Sequence, residues 1–353
     1  MSVVSLNRRL ADAPRMRLVA DLCSLDTSLR PAVEQYTAKK ELLDLVKAPL
    51  QSRVGGELLT FGSCENGFWT AGSDVDACLV VPGCSKRWEM QTKLKVASSV
   101  LTRIGSLNGK DNWNPHIQLV TGARVPVAKL TDLNSDTLLD LSINNLAALE
   151  NSALVSLWGK LDHRVRPLGR IIKHWASSRN INNRAQGTLS TYTLLLQVVY
   201  LLQTRKRPIL PSFKDVLALP EIIDFPWDEK SGVCRDLPFR TDVEAIRGMF
   251  MPKNSETAGD LLHAFFQLFG AKDVAAGAEF LDGIRSPAAE GVLVMKCPLT
   301  KKNVNPMTRS VWLAIHAEFA RAKSMLEAGS SLAEICAAPQ ALKKLPPKPP
   351  CLR

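Results

Sequence analysis

The chain has 353 residues, 46% hydrophobic and 22% charged, which is enough for two ordinary domains with a sizeable core. Its formal charge of +11 favours a polyanionic partner, because neutralised phosphates release counterions. No apolar run reaches the roughly 18 residues a membrane span needs, and the most apolar stretch, Tyr192–Leu202, reads as a buried helix.

The N-terminal stretch up to Leu18 is Arg-rich and mildly amphipathic, as a presequence would be, but Asp12 and Asp21 count against a clean one. Residues 30–50 have helical apolar spacing and good helix formers, ended by Gly55-Gly56. Leu58–Phe61 reads as a buried strand that Gly62-Ser63 turns out of, and Asp74–Val81 as a second strand ended by Pro82-Gly83. A helix is predicted over 85–104. Strands are predicted at His116–Val120, Arg124–Lys129 and Leu138–Ile143. Beyond about 145, helical patterns dominate: Ala147–Leu161, Arg164–Arg179, Ser190–Gln203, Ala258–Phe269 and Arg309–Glu327. Segment 206–240 is irregular, and the tail 338–353, with its PPKPP, reads as extended or disordered. The fold class is therefore α+β, with a mixed α/β domain before a mainly helical one.

Eight cysteines are present and none forms a C-x-x-C pair, which argues against a zinc knuckle and a disulfide framework. They read as reduced thiols in an intracellular compartment.

The chemistry is concentrated in FGSCENGFWTAGSDVD, residues 61–76. A Gly-Ser turn follows a strand, and Asp-Val-Asp opens the next one. Strand alternation puts Asp74 and Asp76 on one face. A third carboxylate, Asp140, lies inside the apolar run LLDLSI, where a charge is costly unless it is paired or binds a cation. Three carboxylates can hold two divalent ions roughly 3.5–4 Å apart, the arrangement used for in-line phosphoryl displacement. Hard cations such as Mg²⁺ or Mn²⁺ prefer such oxygen ligands. Gly62 and Ser63 can offer a backbone N–H and a hydroxyl to phosphates. Taken singly, each feature is an ordinary turn, loop pair or strand-end carboxylate.

In this order, the pattern resembles the polymerase β-like nucleotidyltransferases. ARVPVAKL (123–130), LDLSINN (139–145), LENSALV (149–155), RPLGRIIKHWASSRNI (166–181) and GTLSTYTL (187–194) narrow the resemblance. They are similar to segments of noncanonical poly(A) polymerases and terminal uridylyltransferases, as are CPLTKKNVNP (297–306) and EFARA (318–322). The compact length is most similar to the trypanosomatid terminal uridylyltransferases, which include a small mitochondrial member associated with an editosome-like complex.

The resemblance implies N-terminal helices (1–45) packing across two domains, a catalytic domain (46–145) with a mixed sheet and flanking helices, a helical poly(A)-polymerase-like base-recognition domain (146–335) and an extended tail (336–353). It implies template-independent transfer of UMP from UTP to an RNA 3′ hydroxyl in RNA processing or editing, with the nucleotide held in an interdomain cleft. Polyadenylation from ATP and a non-catalytic RNA-binding subunit are the alternatives. Asp74, Asp76 and Asp140 would bind two Mg²⁺ or Mn²⁺ ions, and Asp140 would also activate the hydroxyl. Gly62, Ser63 and Ser73 would contact the triphosphate, Asn151 the ribose with Ser152 nearby, and Lys173 the β and γ phosphates. Thr191 would contact a phosphate or the base, and Tyr192 would stack on the base. Arg124, Arg170, Thr300, Asn303 and Arg309 are candidate base or RNA contacts. The implied partners are an RNA 3′ end and the proteins of an RNA-processing complex, with no membrane, in a protein monomeric by itself. The implied location is mitochondrial, with the cytoplasm as alternative.

The residues support Lys173 independently. On a helix, Arg166, Arg170 and Lys173 share one face and Leu168, Ile172 and Trp175 the other. The chain departs from the family pattern at Ser177, where a second basic residue is usual. It departs again at Cys297-Pro298-Leu299-Thr300, where the family has carboxylates that read the uracil N3–H. The His usual before Asn303-Val304 is missing too. Thr300, Asn303, Asn305 or an acidic residue from 221–230 are the candidate substitutes.

Overall fold

The computed structural model describes residues 12–107, 115–123, 125–132, 137–216 and 242–339. They form two compact units, one spanning Leu29–Leu157 and the other drawing on α1 and on the chain from Trp158 onward.

The first unit holds α2 (Val33–Val54), β1 (Glu57–Phe61), the short α3 (Ser63–Asn66), β2 (Val75–Val80), α4 (Arg87–Leu107), β3 (Pro115–Val120), β4 (Val127–Asp132), β5 (Thr137–Ile143) and most of α5 (Leu146–Leu161). The five strands form one sheet in the order β1-β2-β5-β4-β3. β2 and β5 pair in parallel and every other pairing is antiparallel. The sheet's pleat decides what goes where. Val75, Ala77 and Leu79 of β2, Ala128 and Leu130 of β4, and Leu139, Leu141 and Ile143 of β5 all join the core with α2 and α4. The intervening residues Asp76, Lys129 and Asp140 are thereby turned to the opposite face. Helix α2 lays a stripe of Leu42, Val46, Leu50 and Val54 on the same core, at the three-and-four spacing of an amphipathic helix.

The second unit contains α1 (Asp12–Leu29), α6 (Val165–Ser178), α7 (Thr191–Gln203), α8 (Phe213–Val216), α9 (Val243–Met249), α10 (Ala258–Phe269), α11 (Lys272–Ala275), β6 (Ala278–Leu281), β7 (Ile284–Pro287), β8 (Leu293–Met295), α12 (Arg309–Glu327) and α13 (Leu332–Cys336). Its core is aromatic. Trp175 meets Phe266 and Phe319 edge-on at 4.8 and 4.9 Å, an arrangement the ring quadrupoles favour. Buried ion pairs tie the helices: Arg170 to Asp26 at 2.6 Å, Arg164 to Asp162 at 2.8 Å, and Arg179 to Glu318 at 2.8 Å.

Most predicted elements stand close to their sequence positions, Ala258–Phe269 and Arg309–Glu327 residue for residue. Within the mainly helical region after 145, β7-β6-β8 form a second sheet. Its hairpin turns at Asp282-Gly283, both at positive φ (45° and 76°), the turn chemistry that matches strand twist. Helix α1 lies in the second unit, where Asp26 pairs with Arg170 and the Leu332 N–H donates to Asp21, and α2 lies in the first. The two units divide at Leu157–Trp158, inside α5. The 206–240 segment contains α8, its residues from 217 lie outside the described set, and so does the tail from 340. Six described cysteines are free thiols, and no described helix is long and apolar enough to cross a membrane.

The second unit's carboxylates set a pH limit. Burial works against ionising Asp162, Glu256, Asp260 and Glu318, but arginine hydrogen bonds outweigh it and hold each below a carboxyl's ordinary value. Depressed carboxyls contribute stability that is complete above their unfolded value and lost as pH falls through the folded one. Thermal unfolding followed against pH should show this unit's midpoint flat above about pH 5 and falling below about pH 4.

Candidate active site

The register of three strands builds the site. Phe61 pairs with Asp76, Asp76 with Asp140, and Asp140 with Lys129, giving one cross-strand row. Residues so paired point to the same side, with backbones about 4.8 Å apart. Two like charges are thus neighbours on adjacent strands, an arrangement that is destabilising without a cation. The Lys129 ammonium supplies one, donating to Asp140 Oδ2 at 2.5 Å. Asp74 stands just ahead of β2, and its carbonyl accepts the Cys64 thiol at 3.5 Å.

Gly62 closes the row at its glycine turn. Its φ of 68° is the left-handed region that side chains resist, and a Cβ there would run into the Asp76 carboxylate. Its N–H donates to the Ser152 hydroxyl of α5 at 2.7 Å. Gly62 and Ser152, two predicted nucleotide contacts, therefore hold each other. The Ser63 hydroxyl has no partner among the described residues. Ser73 closes its own turn, its hydroxyl meeting the Thr70 N–H at 3.2 Å and the Thr70 hydroxyl at 2.9 Å. Asn151 is half-buried on α5, and Arg124 lies outside the described residues.

Lys39 of α2, absent from the sequence-derived set, belongs to this neighbourhood. Its ammonium donates to the Ser73 carbonyl and sits 4.3 Å from the centre of the Trp69 ring. Burial pulls it below lysine's ordinary value, against the opposing pull of Cys64, Asp74 and Asp76. Burial likewise pushes the Cys64 thiol up.

The remaining predicted residues lie in the second unit. Lys173 is half-buried on α6. Arg170, predicted to share a phosphate-facing surface with it, is instead buried against Asp26. An isolated helix wheel cannot show that α1 covers that face. Thr191 bonds Asn182 at 3.3 Å. The Tyr192 hydroxyl and the Cys297 thiol lie 3.3 Å apart, and burial pushes the phenol well above its ordinary value. Asn305 is buried and committed: its Oδ1 accepts from the Ser190 N–H at 2.7 Å and the Thr193 hydroxyl at 3.1 Å, and its amide donates to the Thr188 carbonyl at 3.2 Å. It is therefore not a substitute base contact. Thr300 and Asn303 accept from the loop's own N–H groups, Lys302 at 3.5 Å and Asn305 at 3.0 Å. Arg309 donates to the Ala275 carbonyl at 2.5 Å and so finishes α11.

Among the described residues no three Asp, Glu, His or Cys groups converge on a single point. What the first unit offers is an edge of oxygen donors with Asp76 and Asp140 in register. That donor set suits hard divalent cations, and the Lys129 ammonium already occupies Asp140 as a cation would.

The carboxylate row thus lies on one face of a five-stranded sheet, in a nucleotidyltransferase fold of palm plus helical unit. Residues 18–160 match the family model of the mitochondrial-like poly(A) RNA polymerase central palm domain. The chain is 32% identical over 251 residues to the poly(A) RNA polymerase GLD2-A of Xenopus laevis, covering 68% of this chain and 45% of that protein. It is 32% identical over 216 residues to the poly(A) RNA polymerase cid11 of Schizosaccharomyces pombe, covering 60% of this chain and 43% of that protein. The chain thus spans about half the length of the curated relatives it matches. The fold is that of the Cid1 poly(U) polymerase: a Cid1 structure with the short product ApU superposes with a TM-score of 0.72 at 23% identity, covering 93% of this chain and all of that one. A GTP-bound Cid1 structure superposes with a TM-score of 0.74 at 24% identity, covering 91% and 98%. Residues 18–160 thus carry a poly(A)-polymerase-type palm, the chain is similar to noncanonical poly(A) RNA polymerases over about two thirds of its length, and its fold is the nucleotidyltransferase fold of Cid1.

Gly62→Ala should destabilise the first unit by about 1–3 kcal/mol in chemical denaturation, through strain and collision with Asp76. Gly187→Ala, also at positive φ but facing open space, carries the strain without the collision and should cost less.

Proposed function

We propose that the protein transfers a nucleoside monophosphate, without a template, from a nucleoside triphosphate to the 3′ hydroxyl of RNA, with UTP as the donor. The observation behind this reading is the in-register pair Asp76 and Asp140 beside the Gly62 turn. Bound Mg²⁺ or Mn²⁺ ions would lower the pKa of the attacking hydroxyl and neutralise the departing pyrophosphate. Asp74, Asp76 and Asp140 would hold these ions, and Asp140 would take the hydroxyl proton. Lys129 would release Asp140 as the site is loaded. The bond formed joins the RNA 3′ oxygen to the α-phosphorus, and the bond broken releases pyrophosphate. Positioning and electrostatic stabilisation do most of such work. Ser63, Asn151, Lys173, Thr191 and Tyr192 are assigned to the nucleotide on this reading, and the basic charge of the chain to RNA.

UTP is supported by the resemblance to uridylyltransferases and by the Cid1 fold, ATP by the GLD2 relatives named as poly(A) RNA polymerases. The carboxylates that read the uracil N3–H in the uridylyltransferases it resembles are absent at Cys297 and Thr300, so the UTP assignment rests on the overall resemblance. A mitochondrial RNA-processing complex is part of the proposal and rests on the same resemblance.

Purified protein, an RNA oligonucleotide and the four NTPs in competition provide the test. UTP should be added preferentially, and equal addition of ATP would remove the uridine assignment. Asp140→Asn should slow addition about 10³-fold while leaving RNA affinity intact. Undiminished addition would overturn the catalytic reading.

A further inference from the structure

Helix α2 buries a stripe of Lys39, Leu42, Val46, Leu50 and Val54. Four of the five positions are apolar, and the first is a lysine only 9% exposed. A cation in a core stripe is destabilising unless something on the other side requires it. Leucine or methionine would complete the stripe at no such cost.

What faces Lys39 is the segment leading to the first carboxylate. Its ammonium donates to the carbonyl of Ser73, the residue before Asp74, and the Trp69 Nε1 donates to the same carbonyl at 3.4 Å. The ammonium also lies 4.3 Å from the Trp69 ring centre, a cation–π distance. One helical turn earlier, Tyr36 packs its ring edge-on against Trp69 at 4.3 Å. Tyr36 and Lys39 thus clamp Trp69 from one face of α2. Between the clamp and the strand, Thr70 and Ser73 lock the turn by side-chain and backbone bonds. Burial lowers the Lys39 pKa, and Asp74 and Asp76 lie near enough to oppose that shift. Lys129 pairs with Asp140 at one end of the row, and at the other Lys39 holds the Ser73 carbonyl next to Asp74.

Resting on the nucleotidyl-transfer reading of the site, we infer that Lys39 is a positioning residue: it fixes the Trp69–Ser73 turn that delivers Asp74 and acts as a built-in counter-charge to Asp74 and Asp76 when no divalent cation is bound. Lys39 touches neither substrate nor reacting atoms in this role. When cations occupy the carboxylates, its charge becomes redundant while its grip on the Ser73 carbonyl persists.

The test is thermal unfolding of the full chain in chelator and in saturating Mn²⁺. Lys39→Met, which keeps length and removes charge, should lower the midpoint in chelator by about 2–4 °C. Mn²⁺ should then raise it by more than it raises wild type, because the ion replaces the missing charge. Lys39→Arg should behave as wild type. In an Asp76→Asn background the penalty of Lys39→Met should shrink, as coupled charges require. An equal Mn²⁺-induced rise in wild type and Lys39→Met, with additive effects against Asp76→Asn, would assign Lys39 to packing and overturn the inference. If Lys39→Met alone does not fold, the double variant decides: folding of Lys39→Met/Asp76→Asn supports charge balance, and its failure to fold overturns it. A wild type with no Mn²⁺ response, together with undiminished nucleotide addition by Asp76→Asn, would remove the nucleotidyl-transfer reading itself.

Discussion

Two carboxylates held side by side on parallel strands are the constraint around which the first unit is built. Asp76 and Asp140 are in register on β2 and β5, and each has core residues on both sides along its own strand. Sliding either strand by one residue would drive its carboxylate into the α2–α4 core and expose its aliphatic set. The hydrophobic pattern therefore fixes the electrostatic one. The charges cannot separate without unpacking the sheet, so nearby cations are favoured; among the described residues Lys129 pairs with Asp140, and Lys39 grips the Ser73 carbonyl beside Asp74.

The same constraint explains the glycine. Phe61 is the β1 partner of Asp76, so the residue after it arrives directly at the carboxylate. A side chain at position 62 would compete for the space Asp76 needs. The turn is then secured from α5, where the Ser152 hydroxyl accepts the Gly62 N–H and the Ser156 hydroxyl donates to the Glu65 carbonyl at 3.3 Å. Helix α5 follows β5 almost at once, so the strand carrying Asp140 and the helix holding the Gly62 turn form one continuous stretch.

Much of this was legible in the sequence because it depends on period and spacing. Alternation in DVDACLVV sets Asp76 apart from its apolar neighbours, the apolar run LLDLSI marks Asp140 as a charge in need of a partner, and the glycine turn is legible after an apolar strand. The hidden parts depend on tertiary pairing. Lys129 reads as an ordinary strand lysine until β4 is known to lie beside β5 in that register. Lys39 is one basic residue among several in AKKELLDLVK, and only the three-and-four spacing to Leu42 and Val46 marks it as facing inward. Arg170 misled because a helix wheel has no knowledge of α1. The β6–β7 hairpin carried a readable signal in Leu281-Asp282-Gly283-Ile284, but its strands are too short for alternation to stand out.

The segment from Cys297 to Asn305 shows why base choice is the harder reading. Its most distinctive polar groups are spent on structure: Cys297 meets the Tyr192 hydroxyl, and Asn305 ties the segment to Thr188, Ser190 and Thr193 at the start of α7. The loop is thereby latched to the helix bearing Tyr192. Its exposed chemistry is what remains, the ammoniums of Lys301 and Lys302 and the amide nitrogen of Asn303. Lys301 lies 5.6 Å from the Phe213 ring. Ammoniums and an amide N–H only donate. A loop of donors addresses base carbonyls and ring nitrogens, whereas a loop of carboxylates addresses base N–H groups. The ammoniums of Lys301 and Lys302 can therefore address base carbonyls, a contact of opposite hydrogen-bond polarity from a carboxylate's.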